Sequence, residues 1–174
     1  MGIGSNLEEC LLKGVRSLEI GVCHFHMAKF DHKSTEELLD YLKNFQDDNI
    51  FAVAELLRRG ITVAKLHEIT QITAFFLEAI ARIVAMETVV RENVGDFETL
   101  KKAKLMGFGD KFISQLWNWK EVDVYNLRKQ NNLFPVSRMV DPCHTSAYIP
   151  YFYSSYTGEN ASRLTDRKKI VVLG

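Results

Sequence analysis

One stretch constrains this chain more than any other. Residues 71–93 read QITAFFLEAIARIVAMETVVREN. Between Ala74 and Met86 only Glu78 and Arg82 are charged, and a spacing of four puts them on one helical face as a Glu-to-Arg pair. Ile72, Phe76, Ile80 and Ile83 form an apolar row at helical spacing. Phe75, Ala79 and Met86 widen it on one flank, and Leu77 and Val84 on the other. A helix apolar almost all round is a buried helix. At 1.5 Å per residue it would run about 34 Å, the width of a small domain. The two central charges argue against a membrane span, which needs ~20 mainly apolar residues. The expectation is a mainly α fold: a helical domain around one long central helix.

Composition narrows what such a domain does. Lys plus Arg and Asp plus Glu each number 22, so net charge is zero, whereas nucleic-acid binders normally carry a basic excess. Hydrophobic residues make up 47% of the 174, ample for one core. Cys10, Cys23 and Cys143 are an odd, widely spaced set, which reads as free thiols in a reducing cytoplasm. The N-terminal residues lack the charged and apolar regions of a signal peptide.

Ahead of the central helix, the first helix is expected over residues 6–19. Ser5 and Glu8 would form its capping box, and Leu7, Leu11, Val15 and Leu18 its buried face. Residues 22–33 have no period and read as a loop that gathers Cys23, His24, His26 and His32. A metal site is the sharp reading, but the spacing matches no usual zinc framework. A His-rich surface loop is favoured, with no metal ligands assigned. Ser34 and Glu37 predict a second capping box, before a stripe of Leu38, Leu42 and Phe45. A third helix is expected over residues 50–59, burying Phe51, Ala54 and Leu57 and ending at Gly60. A short helix over 63–68 is capped by Thr62, and the central helix by Thr70.

After Gly95 the helices shorten: 97–106, then 110–117 capped by Asp110, then 123–130. Three short helices can suggest a DNA reader, but the candidate reading helix has only Arg128 and Lys129 as cations. A packed helical subdomain is the better reading. Trp117 and Trp119 sit in the connection that follows. Packing over the core is favoured for them, and they are also the residues expected at any subunit interface.

From Pro135 the pattern turns to β-branched and tyrosine residues, with Pro142 and Pro150. This reads as an extended crossing segment rather than a central strand. Tyr148, Tyr151, Phe152, Tyr153 and Tyr156 form an aromatic belt. Stacking on bases needs interleaved cations, and none lies between Val140 and Gly158, so the belt is expected to cover the helices. Residues 157–165 read as a polar linker. Residues 168–174 (KKIVVLG) carry an unalternating apolar run, the pattern of a buried parallel strand. That strand would open a βαβ unit that does not follow, so the chain is expected to be cut from a longer protein.

Several phrases together carry a resemblance. They are Ile3-Gly4 followed by Leu18-Glu19-Ile20-Gly21, then Gly107-Phe108-Gly109-Asp110, then the run from Pro135 through Val140-Asp141-Pro142-Cys143. Tyr153-Ser154-Ser155-Tyr156 and the terminal Lys-Ile-Val-Val-Leu-Gly complete the set. In this order they resemble the oligomerisation domain in the middle of the carbamoyl-phosphate synthetase large subunit, over essentially the whole chain. Pro142, residues 144–147 and residues 157–160 depart from the family's pattern.

The resemblance implies residues 1–134 as the helical oligomerisation domain and 135–166 as an extended aromatic segment and linker. Residues 167–174 would be the first strand of the second synthetase half. It implies a non-catalytic connector between two ATP-grasp halves, with no cofactor of its own; ATP and Mg or Mn would bind elsewhere in the parent ligase. Partners would be other large subunits, the flanking synthetase domains and the small glutaminase subunit, in the cytoplasm. The parent would make carbamoyl phosphate from bicarbonate, glutamine-derived ammonia and two ATP, for arginine and pyrimidine synthesis. The residues themselves show no P-loop, no catalytic triad and no paired carboxylates suited to Mg²⁺. The other readings are a small metal-binding protein built on Cys23, His24, His26 and His32, or a nucleic-acid module over 97–130.

Overall fold

The computed structural model describes all residues except Phe45, 141–150, Leu164, Lys169, Val171, Leu173 and Gly174. The described part is mainly α. It holds α1 (Leu7–Arg16), α2 (Thr35–Tyr41), α3 (Asn49–Arg58), α4 (Val63–Thr70) and α5 (Ala74–Glu92), followed by α6 (Phe97–Leu105), α7 (Asp110–Trp117) and α8 (Glu121–Gln130). A 3-10 turn at Ala28–Phe30 and the strands β1 (Val136–Met139) and β2 (Phe152–Ser155) complete the described elements. None of the described helices is long and apolar enough to cross a membrane.

The central post is α5. Helices α1, α3, α4, α6 and α7 all pack on it. Its buried residues are Leu77, Ala79, Ile80, Ile83, Val84, Met86, Glu87 and Val90. It is 19 residues long, about 28 Å, and so shorter than the sequence suggested. Thr70 does not cap it. Instead Thr70 ends α4, with its Oγ1 donating to Leu66 O, and Gln71 turns left-handed at φ +56. The post begins after Thr73. Its first turn projects past the core, so Phe75 and Phe76, expected inside, are exposed at 58% and 46% and meet edge to face. Arg82 does not pair with Glu78; its Nε donates to Glu8 Oε1 at 2.6 Å.

Other local expectations shift by a residue or two. Asn6, not Ser5, caps α1, accepting from Glu9 N. The buried face of α1 is Glu8, Glu9, Leu12 and Val15, while Leu18 lies beyond the helix and is exposed. The Ser34–Glu37 capping box and the Thr62 cap form as read. In α3 Leu56 is fully buried and Leu57 only partly, because Phe51, Ala52, Val53 and Ala54 turn the apolar face by one residue. Gly60 ends that helix at φ +86, a conformation that favours glycine. Gly109 occupies the cap position of α7, and Asp110 is its first residue with its carboxylate engaged elsewhere.

The C-terminal segment is not a lone extended crossing. β1 and β2 pair antiparallel, with Val136 opposite Ser155 and Met139 opposite Phe152. The expected strand 168–174 falls largely outside the described residues, as do Pro142, Cys143, Tyr148 and Pro150. Of its described members, Ile170 and Val172 are exposed and outside any strand. Cys10 and Cys23 are free thiols.

Candidate functional site

Two buried charge clusters organise the molecule. The first lies where the loop 22–33 meets α3, α5 and α7. Glu87 is 2% exposed on the buried face of α5. Arg58 of α3 binds it through Nε (2.7 Å) and Nη2 (2.8 Å), and His24 Nε2 lies 3.0 Å from Oε1. Burial pushes the Glu87 carboxyl up, but the hydrogen bonds from Arg58 and His24 outweigh it and hold it below the usual range. Burial also drives the His24 imidazole below its ordinary value, against the pull of Glu87. The ring is therefore neutral, and its Nε2–H donates to Glu87.

The His24 ring stacks on Phe112 at 3.7 Å with its plane tilted only 11°, and Phe108 lies 4.7 Å away. Its Nδ1 has no hydrogen-bond partner among the described residues. Arg58 also donates to Phe25 O and to Glu55 (3.2 Å). Arg59 binds Glu55 at 2.8 Å and donates to Lys33 O and Phe30 O. Two adjacent arginines thus fasten both halves of the loop to the body.

The second cluster joins α6, α7, α8 and the C-terminal segment. Asp110 takes Lys104 Nζ at 2.8 Å and Arg128 in a forked grip at 3.0 and 2.5 Å. Lys104 also donates to Phe108 O, and Arg128 to Leu133 O. Burial would raise the Asp110 carboxyl, but Lys104 and Arg128 hold it below the usual range. Burial also lowers Lys104, with Asp110 opposing and Arg128 and Arg16 adding to the shift. Tyr156 lays its ring over both cations, 4.9 Å from Lys104 Nζ and 5.7 Å from the Arg128 guanidinium carbon.

Nearby, Glu9 is 2% exposed and ties the N-terminus to the strands. It pairs with Lys13 at 2.9 Å and accepts from Ser5 N at 2.7 Å and Ser155 Oγ at 3.3 Å. Gly107 makes this approach possible. A Cβ there would sit 2.7 Å from Glu9 Cα, and its φ is +89. Lys13 also lies over the Tyr153 ring at 5.3 Å. Of the described belt residues, Tyr153 and Tyr156 thus face cations of the helical body, whereas Tyr151 is exposed and Phe152 lies half-buried in β2.

The His-rich loop disperses instead of converging. His24 goes to Glu87, and His26 to Asp31 at 2.9 Å. Among the described residues no three His, Cys, Asp or Glu side chains come together as metal ligands. Trp117 is buried and donates Nε1 to Val90 O at 2.6 Å. Trp119 is 37% exposed, edge-on to Trp117 at 5.0 Å, and it covers Gly95. Sequence reasoning missed Glu87. Its signal was a lone carboxylate on an apolar face, one turn past Ile83, which demands a cationic partner.

The open spaces are shallow. A cavity of about 330 Å³ beside the first cluster is lined by His26, Glu55, Arg58, Glu87, Phe112 and Leu116, among others. Glu55, Glu87 and Arg58 are already engaged with one another. In each cluster a carboxylate is bound by cations from other elements, Glu87 by Arg58 and Asp110 by Lys104 and Arg128. Fold and clusters define a mainly helical module. The family model of the carbamoyl-phosphate synthetase large chain, oligomerisation domain, matches residues 1–132. The chain belongs to that family.

Proposed function

We propose that this chain is a non-catalytic connector and self-association module of a carbamoyl-phosphate synthetase large subunit. It links the two ATP-grasp synthetase halves and pairs large subunits with one another. Residues 1–134 are the helical body, 135–166 the aromatic segment and linker, and 167–174 the opening strand of the second half. The parent ligase makes carbamoyl phosphate from bicarbonate, glutamine-derived ammonia and two ATP in the cytoplasm, for arginine and pyrimidine synthesis. ATP and Mg or Mn bind in its flanking halves, and the glutaminase subunit supplies ammonia. The chain's own partners are proteins rather than nucleic acid or membrane.

The observation that carries this reading is the engagement of the buried charge. Glu87 and Asp110 are bound by cations that tie helices and loops together, an arrangement suited to a rigid strut rather than to proton transfer. Trp119, exposed beside Gly95, is one candidate edge of the self-contact. The test is paired. The purified chain should show no ATP hydrolysis or carbamoyl phosphate formation above a mock preparation, and it should associate with itself in light scattering. Turnover, or a monomer at every concentration, would overturn the reading.

A further inference from the structure

The outward face of α5 carries a self-complementary stripe. Phe75, Glu78, Arg82, Ala85, Val89 and Glu92 recur at alternating intervals of three and four, and all six are exposed. That spacing draws one continuous line along a helix. Its first four members are palindromic about position 80: Glu78 and Arg82 lie two residues either side, Phe75 and Ala85 five. Glu78 has no ion-pair partner among the described residues. Arg82 gives only its Nε to Glu8, and its side chain stays 53% exposed. A guanidinium binds a second carboxylate through its remaining donors.

We infer that this stripe is the surface through which two copies of the chain pair, with their α5 helices antiparallel about a two-fold axis near residue 80. The inference rests on the self-association reading and names its surface. In this register Glu78 of each copy meets Arg82 of the other, and Phe75 of each packs on the small Ala85 of the other. One surface patch then meets its own image, as a two-fold contact requires. Charge selects the register. Centring the axis on residue 82 would set Phe75 against Val89 but would oppose the two Arg82 side chains, and like charges face to face are costly. Trp117 has little surface to offer, and Trp119 shares its ring face with Gly95 and Trp117. The charge pattern of α5 therefore makes the stronger case.

The test uses the full chain in sedimentation equilibrium, with disulfide trapping alongside. Glu78→Arg places like charge opposite Arg82 in both halves of the contact. It should weaken the dimer at least roughly tenfold and leave the thermal melt of the monomer unchanged, since Glu78 is exposed. The variant Phe75→Cys with Ala85→Cys puts its two thiols about 15 Å apart on one helix, too far to bond within a chain. Under mild oxidation it should give a covalent dimer whose linked peptides contain positions 75 and 85. A wild-type dimer unaffected by Glu78→Arg, with no such cross-link, overturns this inference alone. So does a dimer lost only on Trp119→Ala. A wild-type chain that never associates overturns the self-association reading as well.

Discussion

Arg58 grips Glu87 through both carboxylate oxygens, Nε to Oε2 at 2.7 Å and Nη2 to Oε1 at 2.8 Å. This pair joins α3 to the central post and leaves the rest of the guanidinium for Phe25 O and Glu55. The two partners are buried unequally, with side-chain exposures of 19% for Arg58 and 3% for Glu87. That inequality decides which loss costs more.

Removing Arg58 leaves the Glu87 carboxylate, only 2% exposed, with the neutral His24 as its one remaining side-chain donor. Arg58→Met should destabilise the chain by roughly 3–5 kcal/mol in urea unfolding. Glu87→Met should cost less, because Arg58 can turn toward solvent. The double variant should recover part of the Arg58→Met loss, as apolar replacement of a whole buried pair usually does. Equal costs for the two single changes would contradict the burial argument.

Stability should fall on acidification in two stages. His24 has a folded pKa below its ordinary 6.5, so the unfolded chain binds a proton that the folded chain refuses. Its contribution is fully present above 6.5 and is lost as pH falls from there toward the lowered value. Glu87 is held below its ordinary 4.5. Its contribution persists above 4.5 and is lost as pH falls through the depressed value. His24→Phe should keep the stack on Phe112, abolish the first stage and shrink the second, which Arg58 still sustains. Unfolding free energies across pH, for both proteins, read this directly.

Gly107 and Gly60 share a left-handed backbone, at φ +89 and +86, but not their surroundings. Gly60→Ala meets open space and should cost about 1–2 kcal/mol, the penalty of a left-handed Cβ. Gly107→Ala would drive a Cβ to 2.7 Å from Glu9 Cα, backbone that cannot swing aside. Its cost should be greater by about 1–3 kcal/mol, and chemical denaturation of the two variants gives the difference.

Trp117 holds the end of the post through one bond, Nε1 to Val90 O. Trp117→Phe keeps most of the ring but leaves Val90 O with only its longer bond from Asn93 N, at 3.3 Å. A loss of about 1–2 kcal/mol is expected. Proton exchange at the indole N–H should be slow in the wild type, because Trp117 is only 3% exposed.

Much of this architecture was legible before any coordinates. The post, the Ser34–Glu37 box and the Thr62 cap follow from local rules, because a cap and its first turn lie within a few residues. What local rules could not see was where the core ends. Phe75 and Phe76 fit the apolar row, yet the bodies around α5 bury it only from Leu77 onward. Asn6 outcompeted Ser5 because Ser5 is drawn away by Glu9 and by the strand residue Ser155. The clusters were hidden for the same reason. His24 and Glu87 are separated by 63 positions and Arg58 and Glu87 by 29, so no window of sequence contains the pairing. The pairing of β1 with β2 was missed because the strands are only four residues each and their partner residues are not neighbours in the chain.

The most direct test of the connector account is light scattering behind size exclusion, across concentrations, on the full chain and on one truncated after Thr165. The account predicts that both associate with the same concentration dependence, since the contact lies in the helical body. A truncated chain that stays at single-chain mass while the full chain dimerises would contradict it, because the association would then belong to the last residues and not to the domain.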